Sequence, residues 1–318
     1  NKKMDNEQLK AFYTGGANPT INGSVTGAEI MSLGNINANK VTFDGDRIVL
    51  DINRLVTNGE QMVAGNIIVN TSNKDNIVLG YDAYDEEKGY EYTDEDEDTY
   101  KNNKNTVIAT VNGVSFTKEN GYMWVKTLDQ LQAMNTNLAG NYALNDSIDA
   151  IPTNEWNGGK GFKSIGSIGE EENPFTGKFD GLDYNIFGLT INLDGEENVG
   201  LFGYTDGATI NNVTLVAGNI TGGDNVGSVV GYAKNTNISN VTNSVEVSGN
   251  SNVGGVVGKF ESEDGSNELK NIVNIGVTKG YASVGGIAGN MNGGKLTGQS
   301  YNLGAVTGID EKGVNSQL

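Results

Sequence analysis

One phrase recurs along the second half of the chain: NVGLFGY from Asn198, NVGSVVGY from Asn225, NVGGVVGK from Asn252 and SVGGIAGN from Ser283. Its valines fall at Val199, Val226, Val253 and Val284, at intervals of 27, 27 and 31 residues, and Val314 would sit 30 further on. Self-similarity at such a period marks a supersecondary unit that stacks on copies of itself, because one unit alone buries almost nothing. The rest of each unit repeats too, as TINNVTLVAGNITG, NISNVTNSVEVSG, LKNIVNIGVTKG and LTGQSYNLGAVTG. These runs are short, rich in Val and Ile and punctuated by Gly and Asn, which is strand-and-turn language. A unit therefore reads as three short strands forming one coil of a β-solenoid, with coils about 4.8 Å apart.

The glycines of the phrase admit two readings. They could cradle a phosphate, but NVGSVVG has neither GxGxxG nor a GK[ST] ending and precedes no helical pattern. The structural reading makes them corners, taking positive φ or letting backbones approach closely. The repeat-defining residues are then Val199, Gly200, Gly203, Val226, Gly227, Gly231, Val253, Gly254, Gly258, Val284, Gly285 and Gly289. Recurrent asparagines such as Asn240 and Asn271 would stack as ladders at the turns.

Upstream, residues 1–16 form an N-terminal segment with a short helix at KMDNEQLKAFY, and residues 17–120 form a first β-helical segment of Val- and Ile-rich runs. An insertion at residues 82–105 holds ten acidic residues, and its self-repulsion predicts an exposed, mobile loop. Residues 121–318 open with an amphipathic helix over about 127–138: Thr127 and Gln130 have capping-box spacing, and Leu128, Leu131, Met134 and Leu138 share a face. The fold class expected is all-β, a parallel β-solenoid with that one helix and the acidic insertion.

Composition narrows the chemistry. The 318 residues include no cysteine and no histidine, and the formal net charge is −19. Disulfides, thiol catalysis, Ser-His-Asp triads and HExxH zinc sites are excluded. The negative balance opposes nucleic acid and anionic membranes, and no run approaches the roughly 20 apolar residues of a membrane span. Both ends read as cuts from a longer chain.

The VGGxxG units resemble GLUG motifs, which occur in large secreted bacterial proteins, among them filamentous-haemagglutinin-like adhesins of the two-partner secretion type and some IgA-peptidase-like surface proteins. YALNDSIDA, WNGGKGFKSIG and FTGKFDGLDYNIFGLTIN resemble the segment preceding such units, and SLGNINANKVTFDGDRIVL resembles the β-helical repeats of the same exoproteins. The resemblance covers residues 121–308 and, more faintly, 20–80. It implies a right-handed parallel β-helix, export to the bacterial cell surface or beyond, and adhesion to a host-surface receptor, glycan or matrix component. The motif has no assigned chemistry, so the resemblance carries over no catalytic residue.

Remaining candidates are few. DEDEDTYKNNKN begins like a Ca²⁺ loop with Asp94, Asp96 and Asp98, but has Thr99 where glycine is needed and Asn105 where glutamate is needed, so a solvated loop is the simpler reading. A β-helical polysaccharide lyase or hydrolase would need carboxylates clustered on adjacent coils. Between Asn225 and Gly258 the sole acid is Glu246, and an Asp-Gly turn accounts for Asp180. Trp124, Trp156 and Tyr184 could stack on sugars or pack inside. The sequence thus favours a non-enzymatic adhesin segment with no cofactor, monomeric within a larger chain. A glycan-degrading enzyme and a purely structural stalk are the alternatives.

Overall fold

The computed structural model describes residues 21, 23–92, 103–309 and 315–317. The helix expected near the N-terminus, Asp94, Asp96, Asp98 and Val314 lie outside these residues. The fold is mostly β, built from long parallel ladders stacked as in a solenoid, with few and short helices. It divides into two compact units, the first ending at Trp124 and the second beginning at Val125.

In the first unit, Gly23–Thr26, Val41–Asp44, Ile67–Asn70 and Val107–Val111 pair in parallel, and Val114–Thr117 closes that ladder as an antiparallel hairpin arm. A second ladder runs through Glu29–Ser32, Arg47–Asp51, Ile77–Tyr81 and Tyr122–Val125. Partners lie 18 residues apart at Ile30↔Ile48, 29 at Ile48↔Ile77 and 42 at Gly80↔Tyr122. The longest step contains the acidic insertion.

Where described, that insertion keeps Asp82, Glu86, Glu87 and Glu91 exposed, as expected, but it is also tied down. Asp85 and Gly89 exchange backbone hydrogen bonds of 2.9 and 2.8 Å, and Asp85 Oδ1 accepts from the amides of Glu87 and Lys88. Ala83 and Tyr90 are fully buried, and the Tyr90 hydroxyl donates to the Trp124 carbonyl at 2.9 Å. Burial of the Tyr90 ring, with its hydroxyl satisfied, anchors this part. Trp124 is itself buried; its ring occupies the space over Gly80, where a Cβ would stand 2.1 Å from it.

Burial, with Tyr92 beside it, pushes the Tyr81 hydroxyl far above the usual phenol range, and burial with Tyr84 and Asp82 does the same for Tyr90. A raised folded-state pKa means that the unfolded chain releases protons first. This stabilisation is complete below about pH 10 and is lost as pH rises beyond it. Alkaline titration is expected to show these phenolates appearing together with loss of the β-sheet circular dichroism signal, rather than before it.

The helix of the second unit is shorter than its apolar stripe implied. Thr127 Oγ1 accepts from the Gln130 amide at 3.2 Å as the capping-box spacing predicts, but the α-helix spans Leu128–Ala133 and continues as a 3₁₀ turn, Met134–Thr136. Leu131 and Met134 are buried. Gln132 and Asn135 replace further helical turns with bonds to the backbone of Lys163, Ser164 and Gly166.

The repeat forms four ladders rather than three, because the Val-Gly phrase breaks in the middle. Val199, Val226, Val253 and Val284 stack as one column. Phe202–Asp206, Val230–Lys234, Val257–Glu261 and Ala288–Asn292 form the second ladder. A third joins the first part of Thr209–Thr221 to Asn237–Asn243, Glu268–Asn274, Lys295–Thr297 and Tyr301–Asn302. The fourth joins the end of Thr209–Thr221 to Glu246–Ser248, Thr278–Gly280 and Val306–Ile309. The 31-residue interval arises at one corner: the offset is 27 at Lys234↔Glu261 and 31 at Ile238↔Leu269, so the extra residues form the loop around Asp264.

Candidate functional site

Each repeat-defining residue has a definite place. The valine column, buried from Val199 to Val253, packs among the glycines that end each coil: a Cβ on Gly222 would lie 2.8 Å from Val199 Cγ2 and 2.9 Å from Val226 Cγ2, and Gly249 and Gly280 repeat the arrangement on the next pairs. The phrase glycines are not left-handed; the residues before each valine are, with φ of 59° at Asn198, 60° at Asn225, 51° at Asn252 and 53° at Ser283. Gly200, Gly203, Gly227, Gly231, Gly254, Gly258, Gly285 and Gly289 instead permit close approach. A Cβ on Gly254 would stand 1.8 Å from the Val257 carbonyl oxygen and 2.8 Å from the Gly289 nitrogen. Asparagine tolerates αL because its short amide bonds locally, which frees the glycines for the crowded seam.

Asparagine ladders tie the corners. Asn225 Nδ2 donates to Asn198 Oδ1 and Asn252 Nδ2 to Asn225 Oδ1, each at 2.9 Å. The ladder expected at Asn240 and Asn271 is present: Asn212 donates to Asp180 at 3.0 Å, Asn240 to Asn212 at 3.2 Å and Asn271 to Asn240 at 3.1 Å. This engages Asp180, whose Oδ1 also accepts from the Leu182 amide at 2.9 Å. A third ladder escaped the sequence reading. It continues the column Ile148, Ile186, Leu215 as Asn243, Asn274 and Asn302, and the first two of these asparagines are fully buried. The signal was the change from NVTLVAG to NVTNSV and NIVNIG.

Along one side of the second ladder a column runs from buried to exposed: Tyr204 is 2% exposed, Tyr232 and Lys259 are half-buried, and Asn290 is exposed. The residue after the last glycine of each phrase is Tyr204, Tyr232, Lys259 and Asn290 in turn, a column visible in the sequence once the ladder is known. The Tyr204 and Tyr232 rings meet edge to face at 5.3 Å, and Lys259 Nζ lies 4.8 Å from the Tyr232 ring centre. The Tyr232 hydroxyl donates to Glu261 Oε2 at 2.8 Å, and Lys259 Nζ approaches the same oxygen at 3.7 Å. Lys234 pairs with Glu263 at 3.3 Å, and Asn235 Nδ2 donates to Glu263 at 3.0 Å. Burial and the Glu261 carboxylate push the Tyr232 hydroxyl upward; burial, then Glu172 and Asp206, do so for Tyr204. Glu172 belongs to the exposed hairpin Ser167–Ile168 with Glu172–Asn173.

The accessible part of this face offers the Tyr232 ring and hydroxyl, the Glu261 and Glu263 carboxylates and the Lys234 and Lys259 ammonium groups, a set suited to hydrogen-bonding a polar ligand. Trp156 stacks on the buried Phe162 at 6.5 Å and stays partly accessible. Glu246, the one acid between Asn225 and Gly258, pairs with Lys279 at 2.9 Å. Among the described residues no group of three or more His, Cys, Asp or Glu side chains could hold a metal ion.

Fold and surface together define a class, a repeat segment whose coils stack in parallel β-ladders stitched by asparagine. Consistent with that class, 144 residues are 38% identical to halomucin of Haloquadratum walsbyi, a match covering 43% of this chain and 2% of that protein. The chain thus corresponds to a small part of a relative several thousand residues long. No family model matches the chain, and no solved structure matches it.

Proposed function

We propose that this chain is a non-enzymatic segment of a large secreted or cell-surface protein. It is a right-handed parallel β-helix that carries an adhesive face for a glycan, matrix component or other receptor of a host surface. The supporting observation is the half-buried pair Tyr232 and Lys259, backed by the buried ring of Tyr204 and set on a ladder whose rigidity comes from glycine and asparagine rather than from the surface residues themselves. The partial similarity to halomucin supports membership of a much larger polypeptide. A carbohydrate would use the aromatic edges and the hydroxyl and carboxylate acceptors, as polar ligands do on pre-organised surfaces. The second reading, a spacer without ligand, is favoured by the mutual engagement of Tyr232, Lys259 and Glu261.

A glycan array, with adhesion of protein-coated beads to cells and matrix, separates the two. The adhesive reading expects binding that falls about tenfold or more in Tyr232→Ala and Lys259→Ala, the usual scale for losing a central contact. No binding in either assay leaves the spacer. Release of unsaturated or reducing-end sugars from polysaccharides would instead reveal an enzyme.

A further inference from the structure

Among the described residues, the last coil keeps the apolar column of the coils beneath it but leaves that column uncovered. In the third ladder Ile210, Ile238 and Leu269 are 0% exposed, whereas the next residue in register, Leu296, is 48% exposed. Val226 and Val253 are fully buried and Val284 is not; Val229 and Val256 are fully buried and Ile287 is not. Among the described residues, Ala282–Gly285, Ala288–Asn292, Lys295–Thr297 and Tyr301–Asn302 have a strand partner on one side only. Val306–Ile309 alone has a second neighbour, the antiparallel Asn315–Gln317.

Repeat arrays end stably when the last unit turns polar at the positions that would face the next. Here Val284, Ile287, Leu296 and Val306 remain apolar, and the unpaired ladder edges invite a strand. The polar ladder is open as well. Asn243 and Asn274 each give one amide hydrogen to the asparagine of the next coil, at 2.9 and 2.8 Å. Among the described residues Asn302 bonds only its own turn in that role, Nδ2 to the Gly304 carbonyl at 2.8 Å.

We infer that this end is a docking surface for one further coil of the same chemistry, stacked parallel and in register. That coil has apolar residues over Val284, Ile287 and Leu296, an asparagine over Asn302, and glycines at the seam. The coil-to-coil interface already present fixes this occupant, since each position named is the one that receives the next coil elsewhere in the array. The inference rests on ladder geometry and stands whether or not the tyrosine face is adhesive.

The test replaces residues 310–318 by a copy of residues 251–281, which brings the register of the preceding coil onto the open rungs. Hydrogen exchange of the amides between Val284 and Asn302 is expected to slow by about tenfold or more, since these become interior rungs. Binding of a hydrophobic dye falls in parallel. In a control, the added copy carries Val253→Lys, Val256→Lys and Leu269→Lys and gives no protection. An unprotected added coil with unchanged exchange of the old end overturns the inference. So does sedimentation showing the original chain as a dimer that Leu296→Lys dissociates, which would assign the surface to a second copy.

Discussion

Gly258→Ala is expected to destabilise the second unit by about 3 kcal/mol or more, well beyond the average for a single methyl addition. A Cβ at this position would lie 2.4 Å from the Val226 nitrogen, 2.5 Å from the Gly231 carbonyl oxygen and 2.6 Å from the Asn225 carbonyl carbon. All three are backbone atoms, so no side chain can rotate away. Relief requires the two coils to part, which strains the bonds between them: the Asn225 amide to the Ser251 carbonyl at 2.9 Å, and the Val226 amide to the Asn252 carbonyl at 3.1 Å. Gly258 is not left-handed, so alanine adds no dihedral penalty and the effect isolates packing. Gly65→Ala is the matched control, since nothing lies within 4 Å of its added Cβ, and it is expected to change stability by less than about 0.5 kcal/mol. Urea unfolding followed by far-UV circular dichroism measures both. A loss in Gly258→Ala as small as in the control would remove the close-approach account of the phrase.

Which parts of this architecture could be read from the chain follows from the same contrast. The period was legible because a stacked coil must place like residues over like, and the valine column therefore survives in the spacing of Val199, Val226, Val253 and Val284. The number of ladders was not legible. The break within the phrase leaves no trace in the spacing, since the offset is 27 both at Val226↔Val253 before it and at Val230↔Val257 after it. Apolar residues on both sides of that break leave no mark in the hydropathy. The role of the phrase glycines was half legible: glycine predicts either positive φ or close approach, and only the register shows that Asn198, Asn225 and Asn252 take the first task. The column Tyr204, Tyr232, Lys259 and Asn290 was present as the last letter of each phrase. Its outward direction depends on the irregular step at the preceding glycine, which alternation alone does not give. In the acidic insertion the charges masked the anchoring power of Tyr90.

The second large effect is expected at Asn274, the centre of the buried asparagine ladder. Its side chain is fully buried and makes four hydrogen bonds: Nδ2 donates to the Gly276 carbonyl at 3.0 Å and to Asn302 Oδ1 at 2.8 Å, while Oδ1 accepts from the Gly276 amide at 3.1 Å and from Asn243 Nδ2 at 2.9 Å. Asn274→Ala removes them all and opens a void over Gly255, whose added Cβ would stand 2.3 Å from Asn274 Nδ2. At about 1 kcal/mol for each bond, and with buried partners left wanting, the loss is about 3–4 kcal/mol. Asn274→Asp is the sharper probe. It keeps the volume but puts an acceptor against the Gly276 carbonyl and Asn302 Oδ1, and it buries a charge. Both effects favour the protonated acid, so the folded-state pKa lies above the unfolded value of about 3.9. A group shifted this way favours the fold below its unfolded pKa and loses that advantage as pH rises through its folded pKa. Asn274→Asp should therefore be destabilised more than Asn274→Ala at pH 7 and recover much of its stability on acidification, whereas Asn274→Ala shows no such recovery relative to the parent chain. Urea midpoints of the three proteins across pH 4–8, compared pairwise, measure the difference. A flat difference between Asn274→Asp and the parent would mean that the ladder is hydrated and its asparagines are not the buried ties that hold successive coils in register.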